Sequence, residues 1–130
     1  MHAACKTGHS DVIELLLKAD ADVSCRTNDD ITPLYISAYN GHAKVSSYRT
    51  HQHTQCQKRY ECLIGSSLQV VGQLLKAGAK MEEYNASGWT ALHAASERGH
   101  TDVIDVLIQN QCDVNTASKS GDLALHVAAR

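Results

Sequence analysis

Hydrophobic residues recur at intervals of three and four in two stretches of the chain. Val12, Leu15 and Leu16 form one stripe, and Val103 and Leu107 form another. This spacing predicts two helices, each with one apolar face turned to a core. A short segment rich in alanine precedes each stretch, and a Gly-His pair lies between that segment and the apolar stretch. The pattern therefore predicts pairs of helices, in which a short helix of small residues is followed by an amphipathic one.

The helix-pair pattern repeats at a fixed interval. Gly8 and Gly41 lie 33 residues apart, and so do Leu92 and Leu125. The interval from Gly41 to Gly99 is 58 residues, so the period is restored when 25 residues are removed as an insertion. A unit of this length does not bury its own apolar face. The repeat therefore predicts a solenoid in which neighbouring units complete one another's core.

Four units share one order of residues. Their heads, where complete, are residues 32–35, 90–93 and 123–126, which read TPLY, TALH and LALH. Small residues, a Gly-His pair and an apolar run follow, and the units close on motifs such as 112–115, which reads CDVN. This order of residues resembles the ankyrin repeat over the whole chain except the insertion. The resemblance implies an all-α solenoid of stacked antiparallel helix pairs with short hairpin fingers.

The repeat also sets the expected domain organisation. We predict one ankyrin-repeat domain over 1–130, with units at about 1–26, 27–84, 85–117 and 118–130, and with the insertion at 46–70 in the second unit. Neither the first nor the last unit is finished, so we expect a fragment or truncated form. Because the repeat arithmetic closes without the insertion, we also hypothesise that this segment is alternatively included.

Threonine, proline and glycine mark the predicted helix ends. Thr32 can accept from the first free N–H groups of a helix, and Pro33 fits the first helical position. Gly8, Gly41 and Gly99 follow the short helices, where a left-handed residue would end the helix and reverse the chain.

The amphipathic helices have less regular endings. Gly78 suits a left-handed position after the helix of the second unit. Asp20 and Gln111 occupy the corresponding places in other units, so we expect those turns to be less favourable, more so for the glutamine.

The insertion is rich in Ser, Thr, Gln and His, and this composition predicts a surface loop rather than a separate domain. Apolar spacing around Leu68 and Val71 predicts that the next helix starts at about Ser67.

The insertion also places His51, His53, Cys56 and Cys62 within twelve residues. Their spacing differs from that of small zinc folds, so we predict no metal site and prefer an interpretation as solvated loop residues.

Charge and cysteine content exclude several classes of protein. The formal net charge is −2 and the basic residues are scattered, which argues against nucleic acid as the main ligand. No apolar run approaches a membrane span, so we expect no membrane insertion and a location in the cytoplasm or nucleus. Five cysteines without regular spacing indicate reduced thiols rather than a disulfide framework.

The sequence contains no arrangement of residues typical of an enzyme. His9, His42 and His100 sit at the same place in each unit, and this repetition argues for an architectural role. The resemblance implies that they hydrogen-bond between neighbouring loops and units, as do His93 and His126 at the helix heads. No phosphate loop, nucleophile with a positioned base or carboxylate pair is visible, so we predict no catalysis, no cofactor and no small-molecule substrate.

The resemblance nominates a binding surface, the concave face lined by the finger tips and the exposed positions of each short helix. Trp89, the only tryptophan, has two interpretations, contact with a partner or packing on the next unit. The positions predicted to contact partners are Asn28, Asp29, Ile31, Tyr39, Asn40, Ser87, Trp89, Glu97, Arg98 and Lys119; Lys6, Thr7, Ala86, Ser120 and Asp122 line the same face.

The closing motif of the third unit contains a candidate modification site. Residues 107–115 resemble the context in which ankyrin repeats are hydroxylated by a cytosolic asparaginyl hydroxylase, with Asn115 as the target. The preferred interpretation is an asparagine that hydrogen-bonds its own hairpin.

The function predicted from these features is protein recognition. The chain would be an interaction module or scaffold that binds other proteins through the concave face. One alternative is that it is the docking arm of a larger enzyme such as a kinase, of a ubiquitin ligase or of an ion channel. Another is a nonproductive variant, in which the insertion leaves the solenoid unable to hold a partner.

Overall fold

The computed structural model describes the backbone of residues 1–41 and 66–130 and the side chains of 1–41 and 70–130. The described ranges contain short helices joined by turns. Their bounds are α1 His2–Thr7, α2 Ser10–Lys18, α3 Pro33–Tyr39, α4 Ser66–Lys76, α5 Ala91–Arg98, α6 Thr101–Gln109 and α7 Ala124–Ala128.

The helices stack in two parallel rows. The first row is α1, α3, α5 and α7, in which each helix contacts the next, and the second row is α2, α4 and α6. Within a unit, the first-row helix also contacts its second-row partner, as in α1 with α2 and α5 with α6. Each helix thus makes its main contacts with immediate neighbours in the described part of the chain, which confirms the predicted all-α solenoid of stacked helix pairs.

The first-row helices have the caps and small residues that the sequence predicts. The Thr32 hydroxyl accepts from the backbone N–H of Tyr35 at 3.2 Å, and Pro33 is the first helical residue. In α5, Ala94, Ala95 and other small residues are fully buried. Their size allows α3 and α7 to approach α5 closely on either side.

The second-row helices end alike in all three units. Asp20, Gly78 and Gln111 have left-handed backbones, with φ of 55°, 87° and 64°. In each unit, the next residue then donates its N–H to a carbonyl of the last helical turn, as Cys112 does to Leu107 at 3.2 Å. The predicted correspondence between these positions is confirmed, and Gln111 adopts a conformation that costs a residue with a Cβ roughly 1–2 kcal/mol.

We expect Gln111→Gly to stabilise the protein, because glycine adopts this conformation without a steric penalty. The gain should be about 1 kcal/mol, or roughly 3–5 °C in Tm. Gln109→Gly is a matched control, since Gln109 is the last residue of α6 and is not left-handed, so the same substitution there should not raise Tm. Thermal melts followed by circular dichroism would test both, and a fall in Tm for Gln111→Gly would contradict the prediction.

The first-row helices end in two different ways. Gly8 and Gly99 are left-handed as predicted, with φ of 73° and 68°. The same prediction was wrong for Gly41, because α3 already ends at Asn40 with φ −94° and Gly41 is not left-handed. A Cβ on Gly41 would lie 2.6 Å from Cγ of His100. Glycine at this position therefore permits close packing of the next unit, rather than an unusual turn.

The core lies between the two rows, and the apolar stripe of α2 differs from the predicted one. Val12 and Leu15 were predicted to face the core, but they are 46% and 67% exposed, while Ile13 is fully buried. The equivalent valine in α6, Val103, is 2% exposed. The difference arises because α2 contacts only α4 within the second row, so one side of its stripe has no helix against it.

The insertion lies largely outside the described residues, so its conformation stays a prediction. The helix after it begins at Ser66, one residue from the predicted Ser67. Val70 and Leu74 of this helix are fully buried. The stretch from Ser66 onward therefore continues the second row.

Candidate interaction surface

Three hairpin turns of identical design connect the units. In each, an N–H donates to the carbonyl four residues later: Thr27 to Ile31, Asn85 to Trp89 and Ser118 to Asp122, at 3.0, 3.0 and 2.9 Å. The residue before the acceptor is left-handed in each turn: Asp30, Gly88 and Gly121 have φ of 58°, 76° and 83°. We call these turns, at 27–31, 85–89 and 118–122, the fingers.

The fingers are bonded to one another along the stack. The backbone N–H of Ala86 donates to the carbonyl of Asp29 at 3.2 Å. Lys119 donates from Nζ to the carbonyl of Ala86 at 2.7 Å. A Cβ on Gly88 would lie only 2.6 Å from the backbone nitrogen of Lys119, so the second and third fingers are in close contact. The fingers therefore form one continuous row rather than three independent loops.

Histidines at the helix heads also join the units. Nε2 of His93 lies 3.0 Å from the carbonyl of Asp122, and Nε2 of His2 lies 3.0 Å from the carbonyl of Ile31. In both cases the partner is 29 residues further on, in the finger of the next unit. Nδ1 of the buried His93 is bonded within its own unit to Thr90. The implied role of His93 in joining units is confirmed.

The other histidines differ in their contacts. Nε2 of His100 lies 3.2 Å from the carbonyl of Tyr39, as the repeat predicts. His126 hydrogen-bonds only Leu123 of its own unit, and the ring of His9 has no hydrogen bond to the described residues. The prediction for His42 falls outside the described residues.

A row of stacked side chains lies on α3 and α5. The rings of Tyr35 and Tyr39 are nearly parallel, with centroids 6.4 Å apart. The guanidinium carbon of Arg98 lies 4.1 Å from the centroid of the Tyr39 ring, and Arg98 donates to the Tyr39 hydroxyl. We call Tyr35, Tyr39 and Arg98 the tyrosine–arginine row. Two of its three members, Tyr39 and Arg98, belong to the predicted binding residues.

The surroundings of Tyr35, one member of this row, shift the pKa of its hydroxyl. Burial raises the pKa of the Tyr35 hydroxyl above its ordinary value, and the charge of Glu97 raises it further. A hydrogen bond from the Asn85 side chain offsets part of this shift. Glu97 and Arg98 are both exposed, so the surface presents adjacent charges of opposite sign.

Trp89 is half-buried at the base of the second finger. Its ring centroid lies 6.0 Å from that of His93, at an interplanar angle of 35°. Its backbone N–H donates to Oδ1 of Asn85 at 2.9 Å. The ring therefore packs on a histidine of its own unit, and the part that stays accessible adjoins the second finger.

The remaining predicted binding residues fall into two groups. Asn28, Asp29 and Ser87 are exposed at finger tips, and their side chains make no hydrogen bond or ion pair within the described residues. The side-chain amide of Asn40 donates to the carbonyl of Ile36. The carbonyl of Ile31 accepts from the backbone N–H of Thr27 and lies 3.0 Å from Nε2 of His2. Lys119, as described above, bonds the neighbouring finger. The second group therefore contributes to the architecture.

One residue of the surface was missed by the sequence reasoning. Tyr35 was treated only as the head of its unit, although it lies one helical turn from Tyr39, a spacing that brings two rings to the same helix face. Asn85 accepts from the N–H groups of Ser87 and Trp89 and so shapes the second finger. An asparagine at the start of a turn is a recognisable signal for this role.

The described residues hold no group of three or more side chains suited to a metal ion, and the four candidate zinc ligands of the insertion lie outside them. Cys5, Cys25 and Cys112 are free thiols. Burial raises the pKa of Cys5 to about 11, as expected for a thiol packed as a small apolar side chain.

Asn115 lies exposed in a turn. Its backbone N–H donates to Oδ1 of Asp113 at 2.9 Å, whereas its side chain makes no hydrogen bond within the described part of the chain. The preferred interpretation, a side chain that bonds its own hairpin, was therefore wrong, since Asp113 performs that role. Hydroxylation of Asn115 stays a prediction.

No helix in the described ranges is long and apolar enough to cross a membrane.

Comparisons with known proteins agree with the helix rows and fingers. A family model described as ankyrin repeats (3 copies) matches residues 60–130, and one described as ankyrin repeats (many copies) matches residues 1–48. The chain is 35% identical to mouse (Mus musculus) protein fem-1 homolog A-like, a match that covers 72% of the chain and 15% of the relative. It is 29% identical to bovine (Bos taurus) NF-kappa-B inhibitor zeta, over 99% of the chain and 20% of the relative.

A shorter match is to mouse protein phosphatase 1 regulatory subunit 12A, with 37% identity over 46% of the chain and 6% of the relative. The chain thus spans a fifth or less of the length of these three relatives. The matches of the ankyrin models together reach from the first helix to the last. The chain belongs to the ankyrin-repeat family.

Proposed function

We propose that the chain is a protein-interaction module that binds a partner protein along the fingers and the exposed side of α3 and α5, without catalysis. The observation that carries the proposal is the tyrosine–arginine row on α3 and α5, the helices that follow the first two fingers. Tyrosine and arginine are the residue types that dominate binding energy at protein interfaces. Because Arg98 already lies on the Tyr39 ring, less side-chain freedom is lost when a partner binds.

The names of the relatives support this class of function. One relative is named an inhibitor of NF-kappa-B and another a regulatory subunit of protein phosphatase 1. Both names describe proteins that act on other proteins. The partner proposed here is likewise a protein, rather than a nucleic acid, a membrane or a small-molecule substrate, and the proposed location is the cytoplasm or nucleus.

Site-directed photo-cross-linking in cells would test the proposal. A photoreactive amino acid would replace Ser87 or Asn28 at the finger tips, or Asp105 on the outer surface of α6 as a matched control. All three positions lie outside the buried core, so the fold should be retained. We expect protein adducts from Ser87 and Asn28, identified by mass spectrometry, and none of these adducts from Asp105. Equal adducts from all three positions, or none from the fingers, would contradict the proposal.

A second proposal concerns the protein to which the module belongs. Because each of the three relatives is at least five times as long as the matched segment, these repeats could serve as the docking arm of a larger enzyme, ubiquitin ligase or channel. Sequencing of full-length transcripts would test this. An added catalytic or pore-forming domain would support the proposal, and transcripts that encode repeats alone would contradict it.

A further inference from the structure

Arg98 behaves differently from the residues at its position in the other units. By the period of the repeat, those residues are Thr7 and Asn40. Each of them donates to the carbonyl four residues earlier in its own unit, at 3.0 and 2.8 Å. Arg98 instead donates to the hydroxyl of Tyr39, which belongs to the preceding unit. The side chain of Arg98 therefore leaves its own helix and lies against the second unit.

The second unit also departs from the repeat at Tyr35. Histidine occupies the equivalent position in the other units, as His2, His93 and His126. The tyrosine brings a larger ring, which stacks on Tyr39 with the two centroids 6.4 Å apart. Local departures from rules that hold elsewhere in a fold are typical of functional sites. The tyrosine–arginine row is such a departure, and both departing residues contact the Tyr39 ring.

The guanidinium of Arg98 is oriented, and most of its donors are still available. Its central carbon lies 4.1 Å from the centroid of the Tyr39 ring. Within the described part of the chain, only its Nη2 finds an acceptor, and no carboxylate there forms an ion pair with it. A guanidinium has five N–H donors in a planar fork that matches the two oxygens of a carboxylate. Arg98 is exposed, so a carboxylate of another molecule can reach these donors.

We propose that the tyrosine–arginine row binds an acidic side chain of a partner protein, which pairs with Arg98 while Tyr39 holds the guanidinium in place. The inference rests on the proposed function and specifies the chemistry of the partner. Because the Tyr39 ring already supports the guanidinium, Arg98 loses less side-chain freedom when the pair forms. The ring also excludes water from one side of the charge, and an ion pair is stronger where water is partly excluded.

A single carboxylate suits this site better than a nucleic acid. The row contains one cation, and the residue before it in sequence, Glu97, is exposed and negatively charged. A phosphate backbone is bound by several cations acting together. A carboxylate needs only one fork of N–H donors, which Arg98 supplies.

Selection from a displayed library of random peptides would test the inference. The protein would be presented as wild type, as Arg98→Gln and as Lys80→Gln, a matched control that removes a positive charge from another exposed side chain. We expect wild type and Lys80→Gln to enrich peptides with an acidic residue at one fixed position. Arg98→Gln should lose this preference. Failure of the wild type to enrich acidic peptides, or equal enrichment by all three proteins, would overturn the inference.

A double-mutant cycle with one selected peptide would measure the pair itself. The peptide would be labelled with a fluorophore and compared by anisotropy with a second peptide in which the acidic residue is replaced by its amide. Loss of the charge-assisted pair should weaken binding to the wild type about tenfold. Arg98→Gln should bind the two peptides equally well. If this variant still prefers the acidic peptide by the same factor, the carboxylate does not pair with Arg98.

Two further variants would test how the guanidinium is held. Arg98→Lys keeps the charge but loses the planar fork, so it should retain only part of the preference for the acidic peptide. Tyr39→Leu removes the ring beneath Arg98 and should reduce this preference, whereas Tyr39→Phe keeps the ring and should reduce it less. Tyr39 acts here as a positioning residue, so its effect should appear in the ratio of the two affinities. An unchanged ratio in Tyr39→Leu would contradict this role, and circular dichroism would verify that the helices are intact.

Photo-cross-linking separates this inference from the function on which it rests. If the peptides show no acidic preference but the adducts from Ser87 and Asn28 persist, the inference fails and the interaction module stands. If those adducts are also absent, the proposed function fails with it. Loss of the adducts when Arg98→Gln is introduced, with Lys80→Gln unchanged, would support both.

Discussion

His93→Leu is expected to lower the free energy of unfolding by about 3 kcal/mol, because it removes a buried group that joins two units. His93 is fully buried, and its two ring nitrogens bond Thr90 in its own unit and the carbonyl of Asp122 in the next. Leucine has a similar volume but no hydrogen-bonding group, so the buried N–H of Thr90 would lose its partner. Urea unfolding followed by far-ultraviolet circular dichroism would measure the loss.

His126→Leu is the matched control for this variant. His126 occupies the equivalent position in the next unit, but it is exposed and bonds only the N–H of Leu123. Its replacement should change stability by less than about 0.5 kcal/mol. Equal effects at the two positions would contradict the role of His93 as a bond between units.

Gly88→Ala should destabilise the protein by roughly 3 kcal/mol, since it combines backbone strain with a steric clash. Gly88 has a left-handed backbone with φ 76°, and the new Cβ would meet the backbone nitrogen of Lys119 at 2.6 Å. Backbone at this distance cannot rotate away as a flexible side chain could. We therefore expect the second and third fingers to move apart, with a large fall in Tm in a thermal melt.

Gly121→Ala separates the two causes. Gly121 is also left-handed, with φ 83°, but nothing lies within 4 Å of the position that its Cβ would take. Backbone strain alone should therefore destabilise this variant, by about 1 kcal/mol. If Gly88→Ala and Gly121→Ala lower the free energy of unfolding by the same amount, contact between the fingers does not contribute to stability. The hydrogen exchange of the backbone amide of Ala86 would report on the fingers directly, because this N–H bonds the carbonyl of Asp29.

The candidate surface was only partly predictable. Alignment of the units places Tyr39, Glu97 and Arg98 at exposed positions of the first-row helices, and the structure brings Tyr39 and Arg98 into contact. Tyr35 was missed because it occupies the place of His93, a structural residue. The contact of Arg98 with Tyr39 joins residues 59 positions apart across the insertion, so no local pattern could reveal it.

The period of the repeat, the helix pairs and most turns were determined by the sequence alone. These features depend on local chemistry, such as a threonine that caps α3 or a glycine that ends α1 in a left-handed conformation. Such interactions span only a few residues, and each unit repeats them. The same residue order therefore predicts the same local structure wherever it recurs.

The burial of equivalent residues, and what packs against each unit, were decided only by the tertiary structure. Leu92 and Leu125 are equivalent in sequence, yet they are 6% and 76% exposed, since α5 is covered on both sides within its row and α7 on one. Gly41 matches Gly8 and Gly99 but serves to admit the ring of His100. In a stack of repeats, burial and close contact depend on the neighbouring unit. Two identical motifs can therefore have different energetic roles, because the repeat fixes the shape of a unit but not what packs against it.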